Sequence, residues 1–192
     1  VEKLAWMIHA ELVIVELGMN HPGELLDLAL LARPRHAIVT SIADEHAEFF
    51  ATLEDTARAE LEVTEGMEPG SKVFFHADAP CRQIALDACD ARGLKLSIYK
   101  AENVRIDLSG IRLTLGGQEV LNQAYLSHVM AENLTGAFEL LCAAGLSEKE
   151  LLSAAARVVP AAPRRFQVFR KTSNGREVLL VDDSYNANQA SC

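Results

Sequence analysis

The strongest constraint on how this chain folds is a rhythm along residues 11 to 99, where four short apolar runs alternate with stretches of helical length. Glu11 to Leu17 (E-L-V-I-V-E-L) is a β-branched run that ends in G-M-N-H-P-G, the pattern of a buried strand feeding a loop and then a helix. That helix is predicted over Gly23 to Ala32, with Pro34 stopping it and His36 to Thr40 supplying the next strand. Thr52 and Asp55 have capping-box spacing, and the helix they open is predicted to continue to Gly66. Lys72 to His76 reads as a third strand. Pro80 sits at a first-turn position, Gly93 terminates the helix behind it, and Leu94 to Tyr99 is a fourth extended run. Strands alternating with helices predict an α/β fold, a three-layer and mostly parallel sheet covered on both faces.

The rhythm changes after Lys100. Residues 103 to 120 alternate apolar with polar and contain Gly116-Gly117, which predicts a small antiparallel β insert. Helical spacing returns from Ser127 to Ala144 with Gly145 as its stop, and Ser147 with Glu150 reads as a second capping box ahead of Leu151 to Val159. Pro160 and Pro163 mark a boundary, so residues 1–160 are expected to form one domain and 161–192 the start of another. In the latter, Phe166 to Phe169 and Glu177 to Val181 read as strands, and the chain ends just after D-D-S-Y-N-A-N.

Composition narrows the function. With 27 acidic against 18 basic residues, the surface field repels nucleic-acid backbones and anionic lipid. Cys81, Cys89, Cys142 and Cys192 show no C-x-x-C spacing and fit a reducing compartment. No apolar stretch approaches the roughly 20 residues that span a bilayer. A cytoplasmic protein with no stable membrane association and no nucleic-acid partner is expected.

In an open parallel sheet, ligands bind outside the carboxyl ends of the strands. Three polar loops lie there: Glu16 with G-M-N-H-P-G-E, Ser41 to Glu48 (S-I-A-D-E-H-A-E), and Asp182 to Asn188 (D-D-S-Y-N-A-N). Taken one by one, these residues have ordinary roles open to them. Glu16 can cap the following helix, His46 can be a surface or core histidine, and Asp44, Glu45 and Glu48 can be a solvated face.

Taken in order, V-E-L-G-M-N-H-P-G-E-L, the H-x-E-F at His46 and D-D-S-Y-N-A-N resemble the motifs of the Mur ligases, and the first and last resemble the MurF branch. The resemblance implies a central ATPase domain followed by the start of a Rossmann-like C-terminal domain. It implies an ATP- and Mg²⁺-dependent ligase, monomeric, of peptidoglycan precursor synthesis. Such an enzyme adds D-alanyl-D-alanine to UDP-N-acetylmuramoyl-tripeptide through an acyl phosphate, with no covalent enzyme nucleophile. By the same resemblance Glu16 and His46 help hold Mg²⁺, and Arg165 reaches the nucleotide phosphates with a fixed fork of donors. Asp183 meets the nucleotide, Asn20 and His21 face the muramoyl substrate, and Tyr185, Asn186 and Asn188 complete the last loop.

The chain also departs from the family pattern. No G-x-x-x-x-G-K-[ST] segment occurs in it. In the family that phosphate-cradling loop lies upstream of the strand at Glu11, so a fragment, inactive alone, is expected. Glu60 stands where the family has a carbamylated lysine; it keeps a carboxylate on a shorter arm and is expected either to reach metal through water or to be a helix-surface glutamate. The family's nucleotide-facing H-N-x-x-N reads here His128-Val129-Met130-Ala131-Glu132, with Asn133 one residue late and so turned by about 100° unless the register slips. Ser41 replaces a usual asparagine, and Arg164 a usual glycine. These departures keep two alternatives open: a divergent, non-catalytic binding module, and a related ligase with a different amino-acid substrate.

Overall fold

The computed structural model describes residues 10–43, 49–159, 164 and 167–185. The chain forms two compact units, Val1–Tyr99 and Lys100–Cys192.

In the first unit, β1 (His36–Val39), β2 (Lys72–His76) and β3 (Lys95–Tyr99) form a parallel sheet in the order β1-β2-β3. Its register pairs His36 with Lys72 and Lys72 with Lys95. The central strand carries the V-F-F run, and Val73, Phe74 and Phe75 are buried, as a strand covered on both faces requires. Helices α1 (Glu24–Ala32), α2 (Leu53–Glu60) and α3 (Arg82–Ala91) bury Leu25, Ala29, Ala57, Ala59, Ala85 and Cys89.

Helix boundaries follow the punctuation in the sequence. At α2 the capping box closes in both directions: the Asp55 N–H donates to Thr52 Oγ1 at 3.2 Å, and the Thr52 N–H donates to Asp55 Oδ2 at 3.1 Å. Helix α3 ends with Gly93 at φ 64°, and the Leu94 and Gly93 N–H groups return to the Cys89 and Asp90 carbonyls, a Schellman stop.

Two expectations for this unit are corrected. Glu11 to Leu17 forms no strand; Leu12, Val13, Ile14 and Val15 are exposed, Ile14 by 76%. An apolar run specifies burial only where a neighbouring ladder takes up its backbone groups, and none of the described strands pairs with it. The α-helix opened by Thr52 does not reach Gly66 but tightens after Glu60 into a 3-10 segment, Leu61–Gly66. There the Thr64 hydroxyl donates to the Leu61 carbonyl at 2.7 Å, competing with the i to i−4 ladder. Gly66 also lies against the backbone of α1 at Ala29, which fixes the direction of the segment.

In the second unit, β4 (Glu102–Asp107), β5 (Gly110–Leu115) and β6 (Gln118–Asn122) form the expected antiparallel sheet, turning at Gly116 (φ 54°) and Gly117 (φ 75°). Ile111, Leu113, Leu115 and Val120 face a core completed by Ala131 and Phe138 of α4 (His128–Ala143) and Leu151 and Ala155 of α5 (Glu148–Ala155). Asn122, wholly buried, ties this core together. Its amide donates to the Ala155 carbonyl at 2.7 Å and the Val158 carbonyl at 2.8 Å, and its oxygen accepts from the Ala124 N–H at 2.8 Å.

The expected box at Ser147 does not close: Ser147 is the N-cap of α5 but its side chain makes no capping bond. Ser147 and Glu150 are both exposed, where water competes for the same groups. The strands β7 (Gln167–Ser173) and β8 (Arg176–Asp182) pair as an antiparallel hairpin through Asn174 (φ 52°) and Gly175 (φ 74°), an Asn-Gly turn whose two residues both take positive φ. The boundary expected at Pro160 and Pro163 lies outside the described residues.

Candidate functional site

In the first unit the geometry converges on the loop that leads into α1. Asn20 and His21 are exposed there, and Met19 just before them is buried in the core of the unit. One carboxylate, Glu24 in the first turn of α1, locks the loop: its Oε2 accepts the Asn20 N–H at 2.8 Å and the His21 N–H at 3.2 Å, while its Oε1 lies 2.8 Å from His21 Nδ1. The Asn20 N–H above all, with His21 adding to it, holds the Glu24 carboxyl below its ordinary pKa. The imidazole of His21 also lies 4.1 Å, centre to centre, from the ring of Phe49. The two side chains expected to face substrate therefore sit on a preformed loop.

A second carboxylate, which the sequence reading missed, holds this loop from a distance. Glu62, on the 3-10 segment, accepts the Gly23 N–H with both oxygens, at 2.9 Å and 3.1 Å, and the Leu26 N–H at 3.1 Å. These are the orphan donors of the first turn of α1, where a negative charge is favoured. The N-terminus of α1 is thus filled by a protein carboxylate rather than open to an anionic ligand. No local pattern betrays Glu62, because its partners lie 39 and 36 residues away.

Glu60, two residues earlier, is half-buried at the last position of α2, and Glu16 is exposed. His46 lies outside the described residues, with Asp44, Glu45 and Glu48. Among the described residues no group of three or more His, Cys, Asp or Glu is placed to hold a metal ion. Glu16 and Glu60 both offer hard carboxylate oxygens, the donor type that suits Mg²⁺.

In the second unit, His128, Glu132 and Asn133 lie in the first two turns of α4, which runs unbroken to Ala143, so Asn133 stands about 100° around the helix from Glu132. Glu132 is half-buried and its Oε2 accepts the Ala101 N–H at 2.7 Å, anchoring the chain just before β4. One oxygen of a side chain expected at the nucleotide is therefore engaged structurally. His128 and Asn133 are exposed.

After β8, Asp182 Oδ1 accepts from the Ser184 N–H at 3.2 Å and the Ser184 hydroxyl at 2.7 Å, a local turn that leaves Asp183 and Tyr185 exposed. The Tyr185 N–H donates to the Arg164 carbonyl at 3.0 Å, which brings this loop beside the segment entering β7. Arg164 stands at φ 61°, a left-handed conformation that favours glycine. Arg165, Asn186 and Asn188 lie outside the described residues.

A parallel β1-β2-β3 sheet with helices between its strands makes the chain an α/β protein, a class in which polar loops at the carboxyl ends of strands are the usual ligand sites. More particularly, residues 3–144 match the family model of the Mur ligase middle domain, and the chain belongs to the Mur ligase family.

The UDP-N-acetylmuramoyl-tripeptide–D-alanyl-D-alanine ligase of Escherichia coli is 29% identical over 192 residues, covering 93% of this chain and 41% of that protein. Among solved structures, MurF from Acinetobacter baumannii shares the fold with a TM-score of 0.78 at 20% identity, over 92% of this chain and 40% of that one. MurF from Thermotoga maritima, solved in complex with ADP, gives a TM-score of 0.69 at 18% identity, over 90% and 40% of the two chains. The chain spans 36% to 41% of the length of the curated relatives that it matches along most of its own length. Among the described residues no helix is long and apolar enough to cross a membrane.

Proposed function

We propose that this chain is part of an ATP-dependent ligase that joins D-alanyl-D-alanine to UDP-N-acetylmuramoyl-tripeptide in the cytoplasm. The observation that carries the reading is the likeness to relatives bearing that activity in their names over more than nine-tenths of this chain. Residues 1–160 form its central ATP-binding part and 161–192 the start of the next domain. The tripeptide carboxylate attacks the γ-phosphorus of ATP, which releases ADP and leaves an acyl phosphate. The amine of D-alanyl-D-alanine then attacks the acyl carbon, the bond to phosphate breaks, inorganic phosphate leaves, and the nitrogen loses a proton.

Asn20 and His21, on the loop locked by Glu24, orient the muramoyl substrate. Arg165 and Asp183 bind the nucleotide with His128, Glu132 and Asn133, and Tyr185, Asn186 and Asn188 shape the loop beside it. Glu16, His46 and Glu60 are the residues that would hold Mg²⁺, which, when bound, neutralises charge on the transferring phosphoryl group. Phosphate release by the full-length protein tests the reading: release that requires ATP, Mg²⁺, the tripeptide precursor and D-alanyl-D-alanine together is expected, and release indifferent to both peptides refutes it.

A second reading, a non-catalytic binding module, is favoured by one observation, the engagement of Glu132 by the Ala101 N–H. Calorimetry with a non-hydrolysable ATP analogue separates the two, since Mg²⁺-dependent binding belongs to the ligase alone.

A further inference from the structure

We infer that Glu62 is a positioning residue for the muramoyl substrate: from the 3-10 segment it fixes the first turn of α1, and with it the loop that presents Asn20 and His21. The inference rests on the ligase reading above for the identity of the substrate.

Two carboxylates hold one short stretch of backbone. Glu62 holds the Gly23 and Leu26 N–H groups at 2.9 to 3.1 Å, and Glu24, which lies between those two residues, holds the Asn20 and His21 N–H groups at 2.8 and 3.2 Å. Gly23 itself stands at φ 88°, so the turn between His21 and the helix has a conformation that side-chain-bearing residues avoid, and it is kept in place by bonds made to its N–H. Glu62 is half-buried, which shields these bonds from water more than those of an exposed carboxylate.

The other end of the same 3-10 segment is fixed as well. Gly66 lies so close to Ala29 that a β-carbon there would fall 2.1 Å from the Ala29 carbonyl oxygen. The segment and α1 are therefore joined at two points, a carboxylate at the start of the helix and a backbone contact one and a half turns further on. Because the segment continues directly from Glu60, the residue assigned to the metal side, Glu62 sets the place of the substrate loop relative to the end of α2. Glu60 and Glu62 lie two residues apart, and the hydrogen bonds of Glu62 reach the turn at Gly23.

The test uses the full-length protein and the variants Glu62→Ala and Glu62→Gln. In Glu62→Ala the KM for the UDP-muramoyl substrate rises roughly tenfold, the scale of one lost binding contact, while kcat at saturation and the KM for ATP stay within about twofold. Glu62→Gln, which keeps one acceptor oxygen, falls between the two. Hydrogen exchange followed by mass spectrometry on peptides covering residues 18–26 accelerates in both variants. A purely structural role would instead lower kcat through loss of active protein and leave every KM unchanged, and that result overturns the proposal. Unchanged exchange in residues 18–26 also overturns it, whatever the turnover. A wild-type protein that does not turn over refutes the ligase reading, whereas the exchange experiment still judges the clamp.

Discussion

The junction between α1 and the 3-10 segment can be tested with a single methyl group. In Gly66→Ala the new β-carbon would lie 2.1 Å from the Ala29 oxygen, 2.4 Å from the Ala29 carbon and 3.1 Å from the Leu30 nitrogen. Ordinary contact begins near 3.4 Å, so the two backbones must separate by about 1.3 Å, the difference between 3.4 and 2.1. Neither side can yield by rotating a side chain, because the atoms in conflict are backbone. Overpacking a core costs about 1–3 kcal/mol, and a backbone clash belongs at the upper end of that range. The substitution also lowers the entropy of the unfolded chain, which returns about 0.4–1 kcal/mol. A net loss of about 2 kcal/mol remains, which for a chain of this size lowers Tm by roughly 4–8 °C. Thermal melting followed by circular dichroism measures it. Gly70→Ala is the control: Gly70 stands at φ 86° with nothing within 4 Å of its virtual β-carbon, so any loss there comes from conformation alone. If Gly66→Ala melts within about 1 °C of the wild type, the close approach is not a feature of the folded protein and the two-point junction falls.

Three further expectations concern other parts of the chain. Asn122→Ala leaves the Ala155 and Val158 carbonyls and the Ala124 N–H without their buried partner, and at about 1–3 kcal/mol per unsatisfied group, not additive, urea unfolding should show a loss of about 3–5 kcal/mol. Arg164→Gly relieves a left-handed backbone and should gain about 1 kcal/mol, whereas Arg164→Ala should gain nothing; an equal gain from both would trace the effect to charge. Burial pushes the Cys89 thiol up to about 11 from an ordinary value of 9.0, so iodoacetamide at pH 8 should spare Cys89 until the protein unfolds. The linked stability is intact below pH 9 and declines as the pH rises toward 11, because the unfolded thiol ionises first.

Much of the architecture was legible in the sequence because it was signalled locally. Thr52 with Asp55, Gly93, Gly116-Gly117 and Gly145 each encode a cap, a stop or a turn within a few residues, and the structure places them accordingly. The apolar run at Leu12 misled because period and β-branching report a wish for burial, whereas a strand also needs a partner ladder. The end of α2 misled because the 3-10 segment is shaped by Gly66 against Ala29, a contact between elements. The candidate site divides along the same line. Asn20 and His21 belong to a contiguous motif and could be picked out by it, but Glu62 and Asn122 act on backbone groups at separations of 33 to 39 residues, where one sequence carries no visible pairing signal. Glu132 shows the converse, a residue singled out for the nucleotide whose carboxylate also holds the backbone at Ala101.

The proposed reaction of the full-length protein is the formation of an amide between two peptides at the expense of ATP. Mass spectrometry of a reaction holding the protein, UDP-N-acetylmuramoyl-tripeptide, D-alanyl-D-alanine, ATP and Mg²⁺ tests it most directly. The expected product is a UDP-muramoyl pentapeptide, heavier than the precursor by D-alanyl-D-alanine less one water, with ADP formed in equal amount. Nucleotide binding with no such product, or ADP formed without it, would rule out the ligase activity.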